Sequence, residues 1–198
     1  MLVVQSSNGF LGKDINYKGA QMFHDLIKHR RSIRKYLPKP VEQEKIDLLI
    51  TAALHAPSSR SIKPCEFVVV TDPLVLADLA CAKPHGAIFI KDAAVGIVIC
   101  ADPHKCDVWI EDATIASIFV HLAATSLGLG SCWIQIRKRD HDQNLTAHEH
   151  IAKRLNLPSN LVVEAMIAVG YPDETKGAHP EESLQFEKVF FNMYGQRQ

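Results

Sequence analysis

The chain has 198 residues, and its 22 Lys plus Arg balance 22 Asp plus Glu, for a formal net charge of zero. That balance excludes a general pull toward nucleic acid or an anionic membrane surface. The length suits one ordinary domain with a real core. Five cysteines, an odd number with no CxxC pair, argue against a disulfide framework and for a reducing, cytoplasmic setting. The opening MLVVQSSNGFLGKD carries no basic leader and no sustained apolar run, so no export signal is read there.

Taken in order, residues 1–16 read as a loose lead-in. Met22, Phe23, Leu26 and Ile27 have helical spacing and predict a helix over 17–29. Lys28-His29-Arg30-Arg31-Ser32-Ile33-Arg34-Lys35 follows, the densest basic cluster in a neutral chain, and Pro38 and Pro40 mark a loop. A second helix is expected over 41–55, with Ile46, Leu49, Ile50 and Ala53 on one face. Ala56-Pro57-Ser58-Ser59-Arg60-Ser61 breaks it. Residues 67–70 read as a buried strand by their β-branched content. Residues 73–81 read as a short helix with proline in its first turn, and 94–101 as a second strand.

The stretch from Glu111 to Arg137 organises the rest. Glu111 and Asp112 suit the positive end of a helix. The apolar residues that follow leave no broad polar face, which predicts a helix over 111–127 buried on nearly all sides. It is too short and too rich in Ser, Thr and His for a membrane span. Its small residues Ala113, Ala116, Ser117, Ala123 and Ala124 allow another backbone close, and a second subunit is one way to cover it. Gly128 and Gly130 stop it, and a third strand is expected over 132–136. Thr146 to Glu149 has capping-box spacing for a helix reaching Leu155, and 162–169 reads as a fourth strand. The tail 173–198 is polar with scattered aromatics and lacks a core of its own. Together these elements predict an α+β domain in three layers around one sheet.

Three clusters invite chemistry. Arg30, Arg31 and Arg34 around Ser32 could bind phosphate oxygens through guanidinium forks and a hydroxyl; equally, cations at a helix C-terminus complement its dipole. Gly128-Leu129-Gly130 follows a helix and precedes a strand, the reverse of the dinucleotide fingerprint, so no Rossmann site is read. Cys100, His104 and Cys106 have zinc-like chemistry at a spacing that matches no usual pattern, and no metal is assigned. His148 and His150, two apart on a helix, face different ways. Asp112 is explained by the helix dipole better than as a general base.

The segments RRSIRKY, VxxEKIxxLIxAAxxAPSS, EFVVV, DATIA with GLGSCWI, and VGYP, in this order over residues 25–175, resemble the nitroreductase family of FMN-dependent oxidoreductases. The resemblance implies a three-layer α/β/α fold with a central mixed sheet. It implies an intertwined homodimer with the long apolar helix at the interface, a domain over 17–172, and an arm over 173–198 on the partner subunit. It implies FMN, reduced by NADH or NADPH, passing hydride through flavin N5 to a small nitro- or quinone-like acceptor in a ping-pong cycle, with no nucleic-acid or membrane partner. By the same resemblance Arg30, Arg31, Ser32 and Arg34 match the flavin segment, with Arg30 and Ser32 at the phosphate and ribityl side and Arg34 toward the N1–C2 carbonyl edge. Pro57, Ser58, Ser59 and Ser61 match a loop reaching the flavin from the other subunit. Trp133, Gln135 and Ile136 lie on the segment along the N5–O4 edge, and Lys176 is the candidate final phosphate ligand. The chain departs from the pattern at Ser61-Ile62-Lys63-Pro64-Cys65, where Asn-x-Gln-Pro-Trp is common, and at Gln135-Ile136, where a glycine is common. These departures raise an alternative, a flavin-binding dimer without turnover.

Overall fold

The computed structural model describes residues 17–197, so the expected lead-in over 1–16 lies outside the described residues. Five α-helices and four strands follow one another: α1 (Tyr17–His29), α2 (Gln43–His55), β1 (Cys65–Val70), α3 (Pro73–Ala80), β2 (Val95–Ala101), α4 (Trp109–Ser126), β3 (Gly130–Gln135), α5 (Ala147–Leu155) and β4 (Val162–Gly170). The strands form one sheet in the order β1-β2-β4-β3. Every ladder is antiparallel. The parallel pairing found is an isolated bridge, Ser32 to Ser131. The expected mixed sheet is therefore corrected: the apolar runs of β2 and β4 report burial on both faces, and that says nothing about strand direction.

Both faces are covered, and successive residues supply the two sides. Ile97, Ile99, Ile167 and Val169 pack with Ile46 and Leu49 of α2 and Ala113, Val120 and Ala124 of α4. Val98, Cys100, Met166 and Ala168 pack on the other side with Leu76 and Leu79 of α3 and Ile151 of α5. The result is the three-layer arrangement the patterning implies.

Helix α4 begins two residues earlier than expected, and its burial is one-sided. Ala113, Ala116, Val120 and Ala124 are buried, while Ile118 is 42% exposed and Ile115, Phe119 and Leu122 are half-buried. Gly128 at φ +72 ends the helix, and Leu129 N–H returns to the Ala124 carbonyl at 2.8 Å, the glycine C-terminal motif. Gly130 serves differently. A Cβ there would lie 2.7 Å from the Ile33 side chain, so its missing side chain lets the basic segment lie against β3. Thr146 and Glu149 form the complete capping box that starts α5.

Candidate active site

Residues 30–35 leave α1 in an irregular, extended path between the free edge of β3 and the chain after β4. On one side Ile33 N–H donates to the Ser131 carbonyl at 3.0 Å, beside the Ser32–Ser131 bridge. On the other, Leu37 N–H donates to the Tyr171 carbonyl at 2.9 Å and Asp173 N–H to the Lys35 carbonyl at 2.9 Å. The Arg34 N–H donates to the Glu174 carboxylate, the Lys176 ammonium to the Ser32 carbonyl, and the Arg31 guanidinium to the Gly177 carbonyl. Tyr36, buried, anchors the far end by donating to the Ile33 carbonyl at 2.6 Å.

This brings Arg30, Arg31, Ser32, Arg34 and Lys176 onto neighbouring stretches of chain. The last turn of α1 holds Lys28 and His29; Arg30 N–H still returns to the Leu26 carbonyl at 3.0 Å, while Arg31 and Arg34 lie beyond the helix end. The carboxylate beside them is Glu174, 3.3 Å from Lys176. The Arg34 amide, and secondarily Lys176, hold that carboxyl below its ordinary range. The corner keeps an excess of positive charge and donors, the chemistry that suits a phosphate.

The edge of β3 continues this corner. Because the Ser131 carbonyl faces the arginine segment, the period-two alternation turns the backbone groups of Trp133 and Gln135 to the same edge. The Gln135 side chain folds back. Its Oε1 accepts from Trp133 Nε1 at 3.1 Å, and its Nε2 donates to the Arg137 carbonyl at 3.0 Å and to Glu164 Oε1 at 3.3 Å. The departure from glycine at this point thus leaves the strand edge open. Ile136 differs from expectation: its side chain is fully buried in the core, and its N–H is engaged by the Glu164 carbonyl at 3.2 Å. Glu164 is buried and meets Arg137 Nε at 2.8 Å. That pair is a charge contact and not an aligned hydrogen bond, since neither atom makes one.

The serine loop is built at the other end of α4. Ser59 N–H donates to Asp112 Oδ1 at 2.8 Å, the Cys106 thiol donates to Asp112 Oδ2 at 3.4 Å, and Lys63 N–H donates to Ser58 Oγ at 2.9 Å. Arg60, Ser61 and Lys63 have φ of 50, 55 and 50, left-handed values that L-residues adopt at a cost. Pro57 and Ser61 are exposed. Asp112 therefore carries the loop as well as facing the helix dipole. Along α4, Asp112 and His121 are nine residues apart, about 13 Å at the helical rise. Among the described residues no hydrogen bond or ion pair joins this loop to the arginine corner within one protomer.

Burial, with Asp112 and Cys106 nearby, pushes Cys65 up to about 12, and burial raises Cys132 against the opposing charge of Arg34. Cys100 lies in the interior of β2. Among the described residues no group of three or more His, Cys, Asp or Glu could hold a metal ion, and no helix is long and apolar enough to cross a membrane. His148 accepts from Val163 N–H at 3.2 Å, and His150 stacks on His141 with ring centres 4.1 Å apart; both have structural partners. Sequence reasoning missed Glu174, and it missed the link of His121 to Ser131. An isolated acid past the last strand, or one polar residue on an apolar helix, gives no positional signal.

The model of the nitroreductase family matches residues 27–102 and 78–171. The chain belongs to that family. It superimposes on an FMN-dependent nitroreductase from Clostridium difficile with a TM-score of 0.84 and 47% identity, over 85% of this chain and 98% of that one. A Methanothermobacter thermautotrophicus protein whose name joins NADH dehydrogenase and NAD(P)H nitroreductase is 35% identical over 156 residues, covering 77% of this chain and 78% of the relative. The NADPH:FMN oxidoreductase of Vibrio harveyi, solved with NAD+, is similar at a TM-score of 0.73 and 26% identity, over 89% of this chain and 79% of that one.

Proposed function

We propose that the chain is a cytoplasmic, homodimeric oxidoreductase that binds FMN and oxidises NADH or NADPH. The observation that carries this reading is the segment Arg30-Arg31-Ser32 held beside the open edge of β3, with the Lys176 ammonium on the Ser32 carbonyl and the Arg31 guanidinium on the neighbouring Gly177 carbonyl. The residues present fit the cofactor: the donor set is cationic and hydroxylic where a phosphate needs it, and a strand edge beside it offers backbone groups to a planar ring. The names of the relatives support the same chemistry.

Arg30, Arg31, Lys176 and the Ser32 hydroxyl hold the phosphate and ribityl side. Arg34 would supply positive charge toward the electron-rich edge of the bound ring. Trp133 and Gln135 present the strand edge to the ring. Pro57, Ser58, Ser59 and Ser61 come from the partner, because the loop and the corner stand at opposite ends of α4 in one protomer. The chemistry FMN supplies when bound is hydride exchange at N5, from the nicotinamide to a small nitro- or quinone-like acceptor in alternating, ping-pong fashion. No side chain is assigned as acid or base; the protein supplies position and charge.

The test is an absorption spectrum of protein reconstituted with FMN, taken anaerobically before and after NADH or NADPH. Bleaching of the yellow colour by one nucleotide is expected. A yellow protein that neither nucleotide bleaches would favour the flavin-binding dimer without turnover. A protein that FMN cannot reconstitute would contradict both.

A further inference from the structure

His121 is a polar residue in the apolar stretch of α4, and it is 6% exposed. The ring turns toward β3, where Nδ1 lies 2.7 Å from Oγ of Ser131, itself 2% exposed. Ser131 is the residue against which the arginine segment is laid. Its carbonyl accepts the Ile33 N–H at 3.0 Å, and it pairs with Ser32, whose own carbonyl takes the Lys176 ammonium. An unbroken path of contacts thus runs from the interior of α4 to the backbone of Ser32. Burial, and then the charge of Arg30, push the imidazole down to about 4, so it is neutral at physiological pH. A carboxylate in the same place would engage Arg30 and cancel its charge. A neutral ring leaves that charge available to an anion.

We propose that His121 is a positioning residue for the anion corner: its uncharged imidazole fixes Ser131, and through Ser131 the register of Ser32 and Ile33 against β3, while leaving Arg30 uncompensated for a ligand phosphate. It acts through Ser131, its hydrogen-bond partner. The inference rests on the reading that this corner holds the FMN phosphate.

The experiment compares FMN dissociation constants, measured by fluorescence quenching, for the wild type, H121L, H121N and S131A, with riboflavin as the ligand lacking phosphate. H121L and S131A each weaken FMN on the order of five- to tenfold, the usual yield of one buried hydrogen bond, and leave riboflavin binding unchanged. H121N, whose amide nitrogen can stand in for Nδ1, restores FMN binding to within about twofold of wild type. The double variant H121L/S131A loses no more than either single one, because both break the same path. FMN affinity equal to wild type in H121L, or a loss in H121N as large as in H121L, overturns the proposal, the second outcome marking a packing role alone. If H121L fails to fold, S131A carries the test, and wild-type affinity in S131A overturns it. Failure of the flavin reading shows differently, as wild-type protein that binds no FMN.

Discussion

Arg30→Ala removes one charge-assisted contact and leaves the fold alone, since Arg30 lies on an irregular segment beyond α1. It is expected to cost about 1.5–3 kcal/mol of FMN binding, roughly ten- to a hundredfold in affinity, and to erase most of the preference for FMN over riboflavin. Titration of both ligands checks this, and an unchanged preference would mean that the guanidinium meets only solvent. His121 makes a pH prediction. Its folded-state value, about 4, lies below its ordinary 6.5, so between those values the unfolded chain binds a proton that the folded chain refuses. Stability therefore falls as pH falls through this window, by about 2 kcal/mol at pH 5 for this group alone, and the effect is absent above pH 7. Urea unfolding at pH 7 and pH 5 should show a shallower loss in H121N than in wild type; equal losses would contradict the assignment. The arginines were readable in the sequence because charge was concentrated in a neutral chain. Lys176 was reached through the resemblance. Glu174, and the use of Asp112 by Ser59 and Cys106, were not readable, since a lone acid does not announce which backbone amide it will meet.

Elements were easier to read than their edges. Helices α2, α3 and α5 and all four strands lie where spacing, proline and the Thr146 capping box put them, because those signals are local. Strand direction was not local, and the apolar runs of β2 and β4 hid an antiparallel sheet behind a pattern of two-sided burial. Gly130 was read as a helix stop, whereas Gly128 does that and Gly130 admits Ile33. Gly130→Ala tests the distinction. Its Cβ would fall 2.7 to 3.0 Å from three atoms of Ile33, so the basic segment must shift off β3. A stability loss of about 1–3 kcal/mol is expected, with weakened FMN binding, as measured by denaturant unfolding and ligand titration. A variant as stable and as tight as wild type would show that the segment can move without consequence.

The protomer leaves apolar surface that water does not suit. Ile118 on α4, Met22, Phe23 and Ile27 on α1, and Leu184, Phe186, Val189, Phe191, Met193 and Tyr194 along the arm are all exposed. We assign this exposed apolar surface to the proposed dimer interface; with the serine loop and the arginine corner at opposite ends of α4, the proposed site would then need two chains. Ile118→Glu would bury a charge in the interface, and is expected to shift the protein to monomer and to lose FMN together with the partner; a variant still dimeric and yellow would move the interface elsewhere. Sedimentation velocity of FMN-loaded wild-type protein, followed at once by its ultraviolet and its visible flavin absorbance, tests the whole account most directly. The two signals are predicted to travel together as a single boundary of twice the chain mass. Flavin moving with a single chain, or a dimer boundary without flavin colour, would contradict it.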